Sequence, residues 1–202
     1  MKKAIAILMC TILSLFAANA QDATKARQIL DKTAAIVNNK NGATANFKMT
    51  NGKTSASGKI SIKGQKFQAS TPEASVGYNG KTQWTYMKNT EEVNVSTPTE
   101  AQQSQMNPYT FITLYKTGYT LGMKNVSGGN EIHLVAKDKK RSIKEMYITI
   151  NKKTNLPTKV RISNGKTWTD ITISNFKTAN LSDQYFTFNP KDYPNAEVID
   201  LR

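Results

Sequence analysis

The chain has 202 residues, with 28 lysines and arginines against 14 aspartates and glutamates, and a formal net charge of +14 at pH 7. This length suits one domain with one sizeable core, and the charge favours acidic partners. The lysines are dispersed among threonine, serine and asparagine without arginine clusters, which argues against nucleic acid as a partner.

The N-terminus has the pattern of an export signal. Met1–Lys3 is basic, Ala4–Phe16 is almost wholly apolar, and Ala18–Ala20 is a small-residue cleavage site. The apolar run is short for a membrane span, and no second such run follows. We therefore expect a cleaved signal peptide over residues 1–20 and one domain over residues 21–202, soluble in the periplasm.

The single cysteine, Cys10, falls inside the apolar part of this signal. A lipoprotein signal would place a cysteine directly after the cleavage site, whereas Met9 precedes Cys10 and the apolar run continues to Phe16. The mature chain would then contain no cysteine, so we expect its core to be held without disulfides.

The mature sequence opens with a predicted helix and continues as strands. Apolar residues from Ala26 to Val37 recur at three- and four-residue spacing, which places them on one helix face. From Ala43 the period changes to two, and alternation continues to Val95, with Asn79-Gly80 as a strong hairpin signal.

A helical insert interrupts the strands. Thr97-Pro98-Thr99-Glu100 fits a helix start, and the predicted helix runs to about Met106. A second start at Asn107-Pro108 predicts another short helix that ends at Gly118.

Alternation resumes at Leu121 and continues through Ile173, and Phe186 with Phe188 predicts a last short strand before an irregular tail. The count is about a dozen short antiparallel strands and three helices. A long sheet with one apolar face must curl to hide that face, and the helices would cover its open mouth. The pattern therefore predicts an apolar container with a lid.

Catalytic chemistry is not indicated. His133 is the one histidine, and it alternates with Ile132 and Leu134, which places it on the wet face of a strand. Without a second histidine or a mature cysteine, the chain offers neither a zinc site nor a nucleophilic relay. We predict no enzyme activity, no catalytic residue, no metal site and no cofactor.

Four local patterns, in the same order along the chain, resemble the LolA-like family of periplasmic lipoprotein carriers. They are Ala45-Asn46-Phe47, Gly58–Lys63 followed by Phe67, the hairpin Tyr78–Tyr86, and Phe186–Pro190. The resemblance covers Asp22 to Arg202. It implies a mainly β fold with an α lid, a half-open curled antiparallel β-barrel of about eleven to twelve strands covered by about three helices.

The resemblance also implies a function and partners. Such a protein would carry the acyl chains of lipoproteins across the periplasm, as a monomer. An inner-membrane lipoprotein-releasing transporter would load it, and an outer-membrane receptor or an anionic membrane surface would unload it. Proteobacterial members usually carry Arg-Pro where this chain has Lys63-Gly64, so Lys63 is the candidate for coupling the lid to release, although it lacks the planar donor set of arginine.

The apolar members of each strand are the candidate cargo-binding residues. For a single residue, filling the core is the simpler interpretation, but the helical insert favours a cavity for the set. The cavity residues are Phe47, Met49, Ile60, Ile62, Phe67, Trp84, Tyr86, Met146, Ile148 and Ile150, and the lid residues are Met106, Phe111, Leu114 and Tyr115.

Two other functions fit the same pattern. The half-barrel also resembles the sensing domain of periplasmic envelope-stress regulators, although those usually carry a second domain. A generic lipid or glycolipid shuttle would need the same apolar cavity. We expect the lipoprotein carrier, with these two as alternatives.

Overall fold

The computed structural model describes residues 22–52, 54–99, 102–103 and 113–202. In this part of the chain, one α-helix, α1, spans 22–37 and is followed by twelve strands. None of the helices in these ranges is long and apolar enough to cross a membrane. The strands are β1 Ala43–Asn51, β2 Thr54–Lys63, β3 Lys66–Ser70, β4 Ala74–Tyr78, β5 Gln83–Met87, β6 Glu92–Ser96, β7 Tyr119–Val126, β8 Gly129–Ala136, β9 Glu145–Asn151, β10 Pro157–Ser163, β11 Trp168–Thr178 and β12 Glu197–Asp200.

The predicted first helix is confirmed, and its apolar face is buried. Ala26 and Leu30 are fully buried, and Val37 is 4% exposed. Thr33 lies on the same face, and its hydroxyl donates a hydrogen bond to the carbonyl oxygen of Asn155 at 2.9 Å. This face fixes α1 across one end of the sheet, because Asn155 belongs to the turn between β9 and β10.

All twelve strands form one open sheet in the order β12-β6-β5-β4-β3-β2-β1-β11-β10-β9-β8-β7. Neighbours pair antiparallel, except that β12 runs parallel to β6. Within the described residues β7 and β12 lie at the two edges, so the sheet is not closed. The prediction of a curled, half-open antiparallel sheet of about twelve strands is confirmed.

The predicted count of three helices is not confirmed. Of the predicted insert, residues 100–101 and 104–112 lie outside the described ranges. Gln102 and Gln103 are helical, and Leu114–Lys116 forms a 3-10 turn.

The two faces of the sheet can be traced through its register, because directly paired residues share a face. Ala43, Ile62, Phe67 and Tyr78 are paired in sequence, and they define what we call the inner face. The neighbouring ladder defines the outer face and consists of Thr44, Ser61, Gln68, Gly77, Trp84 and Val95.

A β-bulge in β11 keeps a third apolar side chain on the inner face. Ile171 and Ile173 alternate, and the register then shifts opposite Thr44–Asn46 of β1. Asn175 has a φ of 53°, in the left-handed region that asparagine tolerates better than most residues. The extra residue lets Phe176 pack on the inner face against the buried cluster that contains Ile62 and Phe67.

The prediction for the C-terminus was wrong. Phe186 lies in a 3-10 turn and Phe188 in an irregular stretch, whereas the last strand, β12, lies in the predicted tail. Phe186 is fully buried, and the Phe188 ring lies 6.1 Å from that of Trp84. The two phenylalanines are therefore spaced to pack the segment 179–202, the C-terminal segment, against the rest of the fold.

Candidate functional site

A cavity of about 790 Å³ lies between α1 and the inner face of the sheet. Its wall is formed by α1, by β1 to β4 and by β9 to β11, together with the turns next to them. The volume falls in the range of roughly 300–1,000 Å³ that is usual for small-molecule sites in proteins.

Formed by the described residues alone, the cavity is closed at the α1 end and open at the other. Leu30 and Phe67 at the α1 end are 0% and 4% exposed. Phe47 and Ile171, farther along the same face, are half-buried, and Met49 near the open end is 37% exposed. Apolar side chains that are partly exposed to solvent on a concave face favour the binding of an apolar ligand, because the bound ligand would remove them from water.

The open end has a polar rim. Asn51 at the end of β1 pairs with Thr169 of β11, and its side-chain amide donates to the Thr169 hydroxyl at 3.1 Å. Lys166 is the one charged side chain among the described residues that line the cavity. The polar residues at this end are Asn51, Ser142, Asn164, Lys166, Thr167 and Thr169.

Six of the ten residues predicted for the cavity lie on its wall. The structure brings together residues of β1, β2, β3 and β9, which are up to about a hundred positions apart in sequence. The six are Phe47, Met49, Ile60, Ile62, Phe67 and Ile148. Their role in binding a ligand stays a prediction.

Met146 and Ile150 lie on the inner face but do not line the cavity, which corrects their assignment. Both are fully buried in a cluster with Leu30, Tyr115 and Ile132. They alternate in phase with Ile148, as predicted, but other side chains already cover them.

Trp84 and Tyr86 lie on the opposite side of the sheet, so their assignment to the cavity is corrected as well. They pack with Val93 and Val95 beneath the C-terminal segment, and Tyr193 lies 5.6 Å from Trp84 and 4.7 Å from Tyr86 between ring centroids. Alternation shows which residues share a face, but not which face is the cavity. Here a second apolar face exists because the C-terminal segment covers it.

Several residues of β10 and β11 line the cavity although the sequence did not predict them as cavity residues. The alternation of Val160 with Ile162 and of Ile171 with Ile173 was the available signal. It was insufficient because β11 pairs with β1, a pairing between distant parts of the chain. Phe176 could not be found by alternation at all, since the bulge at Asn175 changes its phase.

The predicted lid residues divide into two groups. Met106 and Phe111 lie outside the described residues. Leu114 and Tyr115 pack in the core cluster and not along the cavity. The Tyr115 hydroxyl donates to the Asp31 carboxylate at 2.5 Å, which attaches this turn to α1. The lid itself stays a prediction.

Lys63 contacts the C-terminal segment. Its amine donates to the carbonyl oxygen of Leu181 at 2.7 Å and lies 3.0 Å from the Asp183 carboxylate, while the Lys66 amine lies 2.9 Å from the same carboxylate. Hydrogen bonds from Lys66 and then Lys63 lower the pKa of Asp183. Lys63 is thus part of an ion-pair cluster, and its predicted role in release stays a prediction.

His133 lies on the outer face, as predicted. Its ring stacks on that of Tyr147 at 4.2 Å, and its Nε2 lies 2.7 Å from Oε1 of Glu145. The same oxygen accepts a hydrogen bond from the Tyr147 hydroxyl, which raises the pKa of Tyr147. The three side chains form one surface cluster on the side of the sheet away from the cavity.

Comparison with known families identifies a matching family. The sequence model described as "Outer membrane lipoprotein carrier protein LolA" matches residues 13–166, more than half of the chain. A comparison with curated protein sequences gave no match.

Solved structures resemble this chain at low sequence identity. An uncharacterized conserved protein from Thermus thermophilus is 17% identical, with a TM-score of 0.58 over 87% of this chain and 99% of that one. A LolA superfamily protein from Nitrosomonas europaea is 12% identical, with a TM-score of 0.44 over 81% and 97%. LprF from Mycobacterium bovis is 14% identical, with a TM-score of 0.45 over 84% and 98%. The first of these likenesses shows a common fold.

Proposed function

The chain belongs to the LolA family of outer membrane lipoprotein carrier proteins, and we propose that it carries the acyl chains of lipoproteins between the two membranes. The cargo would occupy the cavity between α1 and the inner face. The export signal expected over residues 1–20 would deliver the protein to the periplasm, where this transfer takes place. We propose a binding role without enzyme activity.

The observation that supports this proposal most directly is the partly exposed apolar wall of the cavity. Met49 is 37% exposed, and Phe47, Ile60 and Ile171 are half-buried around the same space. Acyl chains are flexible and apolar, and each methylene removed from water contributes about 0.8 kcal/mol. A wall without charged groups between its two ends suits such a ligand.

The proposal predicts that a charge on the cavity wall abolishes cargo binding. In Ile171→Lys an ammonium group would enter the apolar space, where an unpaired charge is costly. We expect the affinity for a fluorescent triacylated lipopeptide to fall at least about tenfold, which corresponds to about 1.4 kcal/mol. Fluorescence titration of the purified protein measures it.

The next residue in β11 provides a matched control. Thr172 is exposed on the outer face, so Thr172→Lys adds the same charge to the same strand outside the cavity. Its affinity should match that of the unmodified protein. If Ile171→Lys does not fold, Met49→Lys tests the same wall at a more exposed position. Unchanged affinity in a folded cavity variant would contradict the proposal.

The identity of the cargo requires a direct measurement. Protein purified gently from its native periplasm should carry acylated molecules, which mass spectrometry would identify. Lipopeptides with the acylated N-terminus of lipoproteins would support the carrier function. Recovery of glycolipids alone would instead favour a glycolipid shuttle.

A further inference from the structure

The loop between β8 and β9 is strongly basic. It spans residues 137–144, and we call it the mouth loop. It contains five cations and one acid in eight residues, namely Lys137, Asp138, Lys139, Lys140, Arg141, Ser142, Ile143 and Lys144.

The mouth loop lies at the open end of the cavity. Ser142 and Ile143 line the cavity directly, and Ile143 is 6% exposed. Backbone hydrogen bonds of 2.8 Å connect Lys144 to Ala136 on one side and to Ser163 on the other. The loop is therefore attached next to the β10–β11 turn, which contributes Lys166 to the polar rim.

Two of the loop's cations stabilise its shape, and others face solvent. The Lys144 amine donates to the backbone carbonyls of Lys139 and Arg141, and the Arg141 guanidinium lies 5.0 Å from the centre of the Tyr119 ring. Lys137, Lys139 and Lys140 are exposed, as is Lys166. Among the described residues, no carboxylate forms an ion pair with these four lysines.

We propose that the open end of the cavity docks on an anionic phospholipid surface through the mouth loop and Lys166. Together they carry six cations and one acid around the opening. Basic residues close to an anionic bilayer are attracted to its lipid headgroups. Docking in this orientation would place the cavity opening against the bilayer, so an acyl chain could pass between them with little exposure to water.

This surface goes beyond the carrier proposal, because docking does not require cargo. The test uses vesicles of phosphatidylcholine with about 30% phosphatidylglycerol, and vesicles of phosphatidylcholine alone. We expect the protein to co-sediment with the anionic vesicles only, and to be released as salt rises, since exposed charges are screened.

Two triple variants distinguish the effect of where the lysines lie from the effect of the protein's net charge. Lys139→Glu, Lys140→Glu and Lys166→Glu together should reduce partitioning to anionic vesicles at least about tenfold. The control combines Lys40→Glu, Lys152→Glu and Lys153→Glu, three exposed lysines at the α1 end. It changes the net charge equally, and its partitioning should remain within about threefold of the unmodified protein.

The orientation of the protein on the vesicle provides a second test of the proposal. In a Cys10→Ser background, Ser142→Cys carries an environment-sensitive dye at the rim, and Thr154→Cys carries it in the turn near α1. The dye at residue 142 should shift to the blue on anionic vesicles, while the dye at residue 154 should not.

Three outcomes would overturn the proposal. They are equal loss of partitioning in both triple variants, equal dye shifts at both positions, and absence of binding to anionic vesicles. If vesicle binding is absent while the mouth variant alone slows transfer to isolated outer membranes, the basic rim serves an acidic protein partner instead. Lipopeptide titration of the same variants tests the carrier function separately.

Discussion

Asp183 connects the C-terminal segment to the β2–β3 hairpin through two lysines. Lys63 and Lys66 lie on either side of its carboxylate, at 3.0 and 2.9 Å. The Asp183 side chain is 66% exposed, so solvent screens this cluster and its contribution to stability is modest. The main effect of the two lysines is on the pKa of Asp183.

We predict that replacing both lysines raises the pKa of Asp183. The hydrogen bonds from Lys66 and Lys63 favour the charged carboxylate and lower its pKa in the folded protein. Their stabilising contribution is therefore present above the unfolded pKa of about 4 and is lost as pH falls through the lower folded value. In Lys63→Met/Lys66→Met, NMR titration of the carboxyl carbon should give an ordinary value.

Lys59→Met is the control for this titration. Lys59 lies in the same strand as Lys63, but its amine forms no ion pair with Asp183. Its removal should leave the Asp183 titration in place. A titration that is also unchanged in the double variant would show that the lysines do not set this pKa.

At the scale of elements, the C-terminal segment is attached to the outer face at several points. Trp84 lies at the centre of this contact, with Phe188 and Tyr193 beside it. The Tyr185 hydroxyl lies 3.2 Å from that of Ser61, and β12 pairs with the edge of β6. The segment therefore covers the apolar outer face of β4 to β6 and extends the sheet by one strand.

We predict that Gly77→Ala weakens this attachment. A β-carbon at Gly77 would lie 2.3 Å from Cε2 of Trp84, so the indole would have to move against Phe188 and Tyr193. Overpacking of this kind typically costs about 1–3 kcal/mol of unfolding free energy. Denaturant unfolding with tryptophan fluorescence would measure it.

Gly122→Ala is the matched control for this substitution. Gly122 also lies in a strand, β7, and its nearest atom to an added β-carbon is Cβ of His133 at 4.0 Å. Its stability should change by no more than about 0.5 kcal/mol. Equal destabilisation by both substitutions would indicate a general effect of alanine in strands, unrelated to Trp84.

At the scale of the whole molecule, one curled sheet serves two purposes. Its inner face is buried by α1 at one end and lines an open cavity at the other. The closed end provides stability, whereas the open end leaves apolar side chains partly exposed. Ligand in the cavity would complete the burial of this face.

The molecule should therefore become more stable when cargo binds. A lipopeptide present at a hundred times its dissociation constant would add about 2.7 kcal/mol to the unfolding free energy. For a domain of this size we expect the Tm to rise by roughly 5–10 °C. Differential scanning calorimetry with and without lipopeptide would measure the rise.

Ile171→Lys again supplies the comparison, since its cavity should no longer accept the acyl chain. Its Tm should be insensitive to lipopeptide, whereas that of Thr172→Lys should rise as in the unmodified protein. The same rise in all three proteins would place the bound lipopeptide outside the cavity.

The elements that depend on local periodicity could be predicted from the amino-acid sequence. The helical spacing from Ala26 to Val37 and the alternation in most strands predicted α1 and the number of strands. These patterns are readable because one face of each element must be apolar to be buried. The order of family motifs then indicated the half-open sheet.

Which apolar residues surround the cavity depends on the tertiary fold and could not be predicted from alternation. Trp84 and Ile60 alternate equally well, yet the register places them on opposite faces. Both faces are apolar because the C-terminal segment covers one of them and α1 covers part of the other. Met146 and Ile148 share a face, yet only Ile148 reaches the cavity. The alternation of apolar residues is a local property of the chain. The segments that cover each face of the sheet come from residues far away in sequence. These segments determine whether an apolar side chain fills the core or lines a binding site.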